Sequence, residues 1–140
     1  MKAKTTVTKG TITTRKWHLV DLSGQTLGRV ATQIAQILIG KANPSFSYNR
    51  DDGDYVIAIN SDKLIVTGDK GKKKVYQHHT GYAGSLKEFT FDELMAKDSR
   101  KVIYKAVYGM VPKNRLRSKR MTRLKIFAGS EHQYADKLSK

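Results

Sequence analysis

The sequence predicts an α/β fold in which helices cover both faces of a mainly parallel sheet. Three observations lead there. Strand-like and helix-like segments alternate along the chain. One strand, "YVIAIN" (Tyr55–Asn60), is apolar nearly throughout, the pattern of a strand covered on both sides. And 140 residues with 39% hydrophobic content suit one domain with a buried core.

Taken in order, "WHLVDL" (Trp17–Leu22) is rich in β-formers and reads as a short strand, and "SGQT" turns the chain. Leu27, Val30, Ala31, Ile34 and Leu38 then recur at three- and four-residue spacing, which marks an amphipathic helix with Thr26 as N-cap and Gly40 as stop. Ile37 and Ile39 widen its apolar stripe, so it is expected to be well buried. "KANPSFSYN" is a loop. After Tyr55–Asn60, "KLIVTG" and "KKVYQH" read as strands, with a tight turn at Gly68-Asp69-Lys70-Gly71 between them. "HTGYAGS" is a glycine-rich loop. Thr90 with Glu93 three residues on is a capping-box pattern that opens a short helix, "TFDELMAK". Val102, Ile103, Ala106, Val107 and Met110 mark a second main helix that stops before Pro112. "LKIFAG" closes as a strand. There is no internal repeat. The chain thus divides into a basic arm (1–16), one α/β domain (17–132) and a tail (133–140).

Composition narrows the function. Lys and Arg number 27 against 12 Asp and Glu, a net charge of +15. Such a charge repels itself in the compact state and is best tolerated beside a polyanion. Nucleic acid comes first and an anionic membrane second, but no long basic amphipathic helix supports the membrane. No cysteine is present, which excludes disulfides and thiolate zinc sites and fits a reducing compartment. No apolar run approaches a membrane span. The N-terminus, "MKAKTTVTKGTITTRK", lacks the apolar stretch of a secretory signal. It reads as a flexible arm that orders on a partner, a short organellar targeting segment being the alternative.

The charge is segregated. Five of the acids fall between Asp51 and Asp69, while cations crowd into the N-terminal arm, Lys70–Lys74 and Lys113–Lys125. The last segment holds seven basic residues and no acidic one, with Leu116, Met121 and Leu124 interleaved. Leu116, Lys119, Arg120 and Arg123 follow helical spacing closely enough for a short helix. The segment is tethered at both ends, so it reads as a phosphate-contacting face rather than a solvated run. On that reading, changing Arg115, Arg120 and Arg123 to Glu weakens polyanion binding and leaves stability nearly untouched.

Other motifs favour the blander interpretation. In "GQTLGRVA", Gly24 and Gly28 are separated by three residues and followed by Arg29 and Val30, which is no Walker loop. Gly28 is expected to permit close helix–sheet packing, and Arg29 to reach a partner phosphate. Asp51, Asp52 and Asp54 lack the remaining ligands of a calcium loop; they read as a turn in which Gly53 supplies an unusual backbone angle. His78 and His79, adjacent on an extended segment, point to opposite faces and cannot easily share a metal. Beside Lys72–Lys74 they serve better as hydrogen-bonding or stacking groups for a nucleic acid, a solvated loop being the alternative. No nucleophile motif or carboxylate pair specifies a reaction.

The order and spacing of "WHLVDLSGQTLGRVAT", "DDGDYVIAIN", "KVYQHHTGYAG", "VYGMVPKN" and "LKIFAGSEH" resemble the universal large-subunit ribosomal protein L13 family, in its bacterial or organellar form, from about Trp17 to His132. The resemblance implies a three-layer α/β/α domain around a small parallel sheet. It implies a structural constituent of the large ribosomal subunit that binds its rRNA directly and early in assembly. No catalytic site, cofactor or small-molecule substrate goes with it. The family's Gly-Met-hydrophobic-Pro-Lys motif falls on Gly109–Lys113, and its Tyr-His-Thr-Gly-type motif on Gln77–Gly81. Where bacterial relatives continue with glycines after Pro-Lys, this chain has Asn114, Arg115, Leu116 and Arg117. Asn114 is expected to keep the turn by adopting a left-handed angle.

The resulting expectation is an rRNA-binding structural protein, located in cytoplasmic or organellar ribosomes and flanked by other large-subunit proteins. The expected contacts are Arg15, Lys16, Arg29, Lys72, Lys73, Lys74, His78, His79, Lys113, Arg115, Arg117, Lys119, Arg120, Arg123 and Lys125. They would read RNA shape and backbone rather than sequence. Two rivals are a metal-dependent nuclease using Asp51, Asp52, Asp54 and His79, and a DNA-compacting protein.

Overall fold

The computed structural model describes residues 15–44 and 46–138; most of the basic arm (1–14) and the last two residues of the tail lie outside the described residues. The elements run β1 (Trp17–Asp21), α1 (Leu27–Ile39), β2 (Tyr55–Ile59), a 3-10 turn (Ser61–Lys63), α2 (Lys70–Lys73), β3 (Val75–His79), β4 (Leu86–Thr90), α3 (Phe91–Met110), α4 (Leu116–Thr122), β5 (Leu124–Ile126) and α5 (Ala135–Leu138). β1, β2 and β5 form a parallel sheet in that order, with Trp17 opposite Tyr55 and Val56 opposite Leu124. β3 and β4 form a separate antiparallel ribbon. The fold class is α/β, as expected.

The sheet order explains where the helices lie. The chain steps β1 to β2 to β5 in one direction without reversing. Crossovers of one hand then place their helices on the same face. Accordingly α1 and α3 pack on each other. Val20, Val56, Ala58 and Leu124 meet Val30, Ile34, Leu38, Val102, Ile103 and Val107 in one core. Alternation turns Trp17, Leu19, Tyr55 and Ile57 to the other face. That layer is thinner than the sequence suggests. Trp17 stacks on Tyr55 at 4.2 Å and on Tyr134 at 5.3 Å between ring centroids, and α5 lies against β1. Residues 134–138, read as tail, are therefore docked on the sheet.

Local chemistry sets the boundaries. Gly40 ends α1 in the left-handed region (φ 78°), its N–H donating to the Gln36 and Ile37 carbonyls. Thr26 occupies the N-cap position without a side-chain capping bond. α3 opens with a complete capping box: the Glu93 N–H donates to Thr90 Oγ1 at 3.3 Å, and the Thr90 N–H to Glu93 Oε2 at 2.8 Å. Thr90→Ala is expected to lower stability by about 1 kcal/mol, visible as a drop in Tm of a few degrees. α3 joins the two helices read from sequence across a bend at Asp98 (φ −164°, ψ 95°). The buried Ser99 hydroxyl at that bend meets Ser61 Oγ at 2.6 Å and the Asp62 carboxylate.

Four local expectations are corrected. "KLIVTG" is not a strand: Asn60 breaks the backbone at φ 59°, a 3-10 turn follows, and Ile65 alone bridges to Thr26. The turn at residues 68–71 is kept only in its first half: Gly68 (φ 64°) and Asp69 turn, but they lead into α2 at Lys70 rather than between two strands, with Lys73 paired to Asp69 at 2.9 Å. Gly53 has no left-handed torsion. It is required by proximity, since a Cβ there would lie 1.8 Å from the Leu38 carbonyl oxygen. Gly28, expected in tight helix–sheet packing, has nothing within 4 Å of the position its Cβ would take.

Candidate nucleic-acid interface

The basic segment 113–125 folds as foreseen into a short helix leading into a strand, but its cations divide into two groups. Helical spacing turns Arg120 and Met121 into the protein, and Arg123 follows three residues on; Arg120 is 1% and Arg123 4% exposed. Arg123 forks onto Asp51 at 2.6 and 2.7 Å and also donates to the Leu38 carbonyl. Arg120 donates to the Arg50 carbonyl at 2.9 Å and lies 3.7 Å from Asp51. These two guanidinia, expected on the RNA-facing surface, are internal. They hold the 50–54 loop against the end of α1 and the start of β5. Burial pushes the Asp51 carboxyl up, but the Arg123 hydrogen bonds and charge, with Arg15 and Arg120, outweigh it and hold the carboxyl below the usual range. Burial pushes the Arg120 guanidinium down, partly countered by Asp51.

Arg117 is also turned to structural use. It donates to the Val111 and Pro112 carbonyls, at 2.8 and 3.3 Å, and lies over the Tyr108 ring at 4.3 Å. The two carbonyls follow α3, so the guanidinium caps the helix exit. Asn114 keeps ordinary torsions rather than a left-handed one. Its Oδ1 accepts the Leu116 N–H at 3.1 Å and so starts α4.

The outward group is Lys113, Arg115 and Lys119, with Lys125 half-buried. Among the described residues, none of the four has an ion pair. Lys119, Lys125 and Arg15 line one concavity of about 650 Å³, together with Tyr55, Thr122 and the Asp51–Arg123 pair. The fold thus brings Arg15 from before β1 beside two cations a hundred residues later. Arg15 also lies 3.4 Å from Asp51. Lys16 is exposed and uses its backbone N–H on Asp54.

Lys72, Lys73, Lys74, His78 and His79 belong to α2 and the ribbon, all exposed. His78 lies opposite Lys87, and His79 opposite Leu86 on the other ribbon face. The ribbon tip carries Tyr82, 79% exposed, between Gly81 and Gly84, both at positive φ. Arg29 is exposed on α1, apart from this group.

The carboxylates of a nuclease reading do not converge. Asp51 is held by Arg123, Asp52 pairs with Arg50 at 3.0 Å, and Asp54 accepts from the Lys16 N–H and lies 3.0 Å from His18 Nε2. Asp51 and Asp52 are thus taken up by arginines, and Asp54 by a backbone N–H and the His18 ring.

Sequence reading missed part of the surface. Arg100, Lys101, Tyr104, Lys105 and Tyr108 share the outer side of α3 at three- and four-residue spacing. Tyr104 and Tyr108 are 44% and 43% exposed and stack at 6.1 Å. The signal was present as a second, basic-aromatic stripe opposite the apolar one.

Comparison with known proteins gives the family. The family model described as Ribosomal protein L13 matches residues 15–133. Large ribosomal subunit protein uL13 of Clostridioides difficile (strain 630) is 51% identical over 121 residues, covering 86% of this chain and 85% of the relative. Its counterpart in Dichelobacter nodosus (strain VCS1703A) is 48% identical over 121 residues, covering 86% and 85%. That of Thermotoga maritima (strain ATCC 43589 / DSM 3109 / JCM 10099 / NBRC 100826 / MSB8) is 47% identical over 131 residues, covering 94% and 88%. The match spans the parallel sheet, both main helices and the basic α4–β5 segment, and by it the chain belongs to the ribosomal protein L13 family.

Proposed function

We propose that the chain is a non-enzymatic structural constituent of the large ribosomal subunit in the cytoplasm, that it binds large-subunit rRNA directly, and that it acts early in subunit assembly beside other ribosomal proteins. The relatives, each a large ribosomal subunit protein uL13, support the ribosomal placement. The observation that carries RNA binding is the division of labour in residues 113–125. Buried Arg120 and Arg123, with Arg117, fix the backbone. That leaves Lys113, Arg115, Lys119 and Lys125 without a counterion among the described residues, Lys119 and Lys125 beside Arg15 at one concavity. Cations carried on a fixed backbone bind phosphates with less ordering cost than those of a free tail. Lys16, Arg29, Lys72–Lys74, His78 and His79 supply further contacts in this reading. The domain's work is to neutralise repulsion between RNA segments and hold them at one geometry.

Replacing Lys113, Arg115, Lys119 and Lys125 by Glu is expected to weaken binding to a large-subunit rRNA transcript. The log–log salt slope should become shallower by roughly 0.7–0.9 for each phosphate contact removed. Filter binding across a salt series measures both. An unchanged slope would place the contact face elsewhere. Tm should change little, because these side chains have no ion pair among the described residues.

A further inference from the structure

A cavity of about 420 Å³ opens between the start of α1, α2 and α3, away from the concavity that Arg15, Lys119 and Lys125 share. Its size falls in the range of small-ligand clefts, roughly 300–1,000 Å³. Leu27, Val66, Ala106 and Met110 give it apolar walls, and Lys70, Lys74 and Lys105 line it with positive charge. Among the described residues, none of the three lysines has an ion pair; the carboxylate nearest in sequence, Asp69, is taken by Lys73. Lys74 and Lys105 each hold their ammonium about 5 Å from the centre of the same Tyr76 ring, at 5.4 and 5.2 Å. Two like charges are thus gathered at one place, and among the described residues no carboxylate pairs with either.

Two glycines lining the cavity point the same way. Gly28 lies in the first turn of α1 and Gly109 near the end of α3. Neither has a left-handed torsion, and neither would meet any atom within 4 Å if it carried a Cβ. Glycine inside a helix is disfavoured relative to alanine. Backbone geometry and packing therefore leave these glycines unexplained. What they do is keep the cavity open, where side chains would fill it.

We infer that this cavity is a subsite for a single phosphorylated nucleotide. Its base or sugar lies between the apolar walls and its phosphate sits among Lys70, Lys74 and Lys105. An apolar slot rimmed by ammonium groups matches that two-part chemistry, whereas a bare inorganic anion has no use for the walls. The Leu27 N–H is donated to the Ile65 carbonyl, which leaves the Gly28 and Arg29 amides of the first turn as donors beside the slot. The nucleotide is either a residue swung out of RNA or a free monophosphate; in the first case the inference rests on the RNA-binding reading and deepens it.

The test uses the full chain labelled with ¹⁵N. Adenosine and uridine 5′-monophosphates are titrated against it, with the unphosphorylated nucleosides as controls, and the Gly28 and Gly109 amide resonances are followed. Saturable shifts are expected with the monophosphates, with nucleosides at least about tenfold weaker. Gly28→Met, which fills the cavity, should abolish the shifts elsewhere in the lining without lowering Tm. Lys105→Met should weaken binding about tenfold. In parallel, chemical footprints of a large-subunit rRNA transcript are compared for wild type and Gly28→Met. Loss of protection at one unpaired nucleotide, with the remaining footprint intact, identifies an RNA residue as the source. Saturation by monophosphate with identical footprints identifies the free nucleotide. Absence of both effects overturns the subsite, as does monophosphate binding that survives Gly28→Met. If wild type ignores rRNA altogether, the RNA-binding proposal fails while the monophosphate titration still decides the subsite.

Discussion

Asp51→Ala is expected to lower stability by about 3 kcal/mol and Tm by roughly 10 °C, measured by thermal or urea unfolding. Asp51 is the counterion of three arginines, and two of them are buried. Removing it leaves both guanidinia in the interior without their carboxylate, which is far costlier than losing an exposed pair. The estimate sits at the low end for broken buried pairs because Asp51 is itself 18% exposed. The Arg15 contact adds little, since Arg15 is 40% exposed. Arg123→Met combined with Asp51→Ala should be less damaging than the two changes summed, because each removes the other's stranded charge. The pH dependence follows the depressed Asp51 carboxyl. Its contribution is fully present above the unfolded-chain value of about 3.9. It is lost as pH falls through the lower folded-state value, so acid unfolding should start below about pH 4 and be blunted in Asp51→Ala.

Gly53→Ala is expected to be comparably harmful, about 3 kcal/mol by the upper range for overpacking. The added methyl would lie 1.8 Å from the Leu38 carbonyl oxygen and 2.5 Å from its carbon. Those are backbone atoms near the end of α1, so no side chain can swing aside. On the same helix end, a Cβ at Gly40 would lie 2.6 Å from the Asp52 carbonyl oxygen. The 51–54 loop and α1 are thus pressed together at two glycines, and Arg123, which bonds Leu38 and Asp51, is anchored at the same seam. Displacing the loop therefore also disturbs that ion pair. Circular dichroism should show retained secondary structure with an earlier thermal transition.

What could be read from sequence tracks how locally each feature is encoded. α1 follows from its own apolar spacing and its glycine stop, and the capping box of α3 is contained in four residues. β4 was not legible, because Leu86–Thr90 gains strand identity from pairing with β3 across the loop; only Phe89 among its apolar positions packs toward the core. "KLIVTG" misled because its β-branched residues suit a strand, while the left-handed Asn60 redirects the backbone before they arrive. The basic segment was found by composition, but charge alone does not say which arginines turn inward. That depended on Asp51, more than sixty residues earlier. Helical phase carried a usable hint: Arg120 shares the buried side with Met121, and Leu116 lies one turn before it.

The aromatic stack at the edge of the sheet has a practical consequence. Trp17 is the only tryptophan in the chain, and it is sandwiched between a strand neighbour, Tyr55, and Tyr134 near the C-terminus. It also stands two residues after Arg15. Intrinsic fluorescence excited at the indole band therefore comes from one spot, where the beginning and end of the described polypeptide meet. An unlabelled sample carries its own optical gauge of whether those ends are seated.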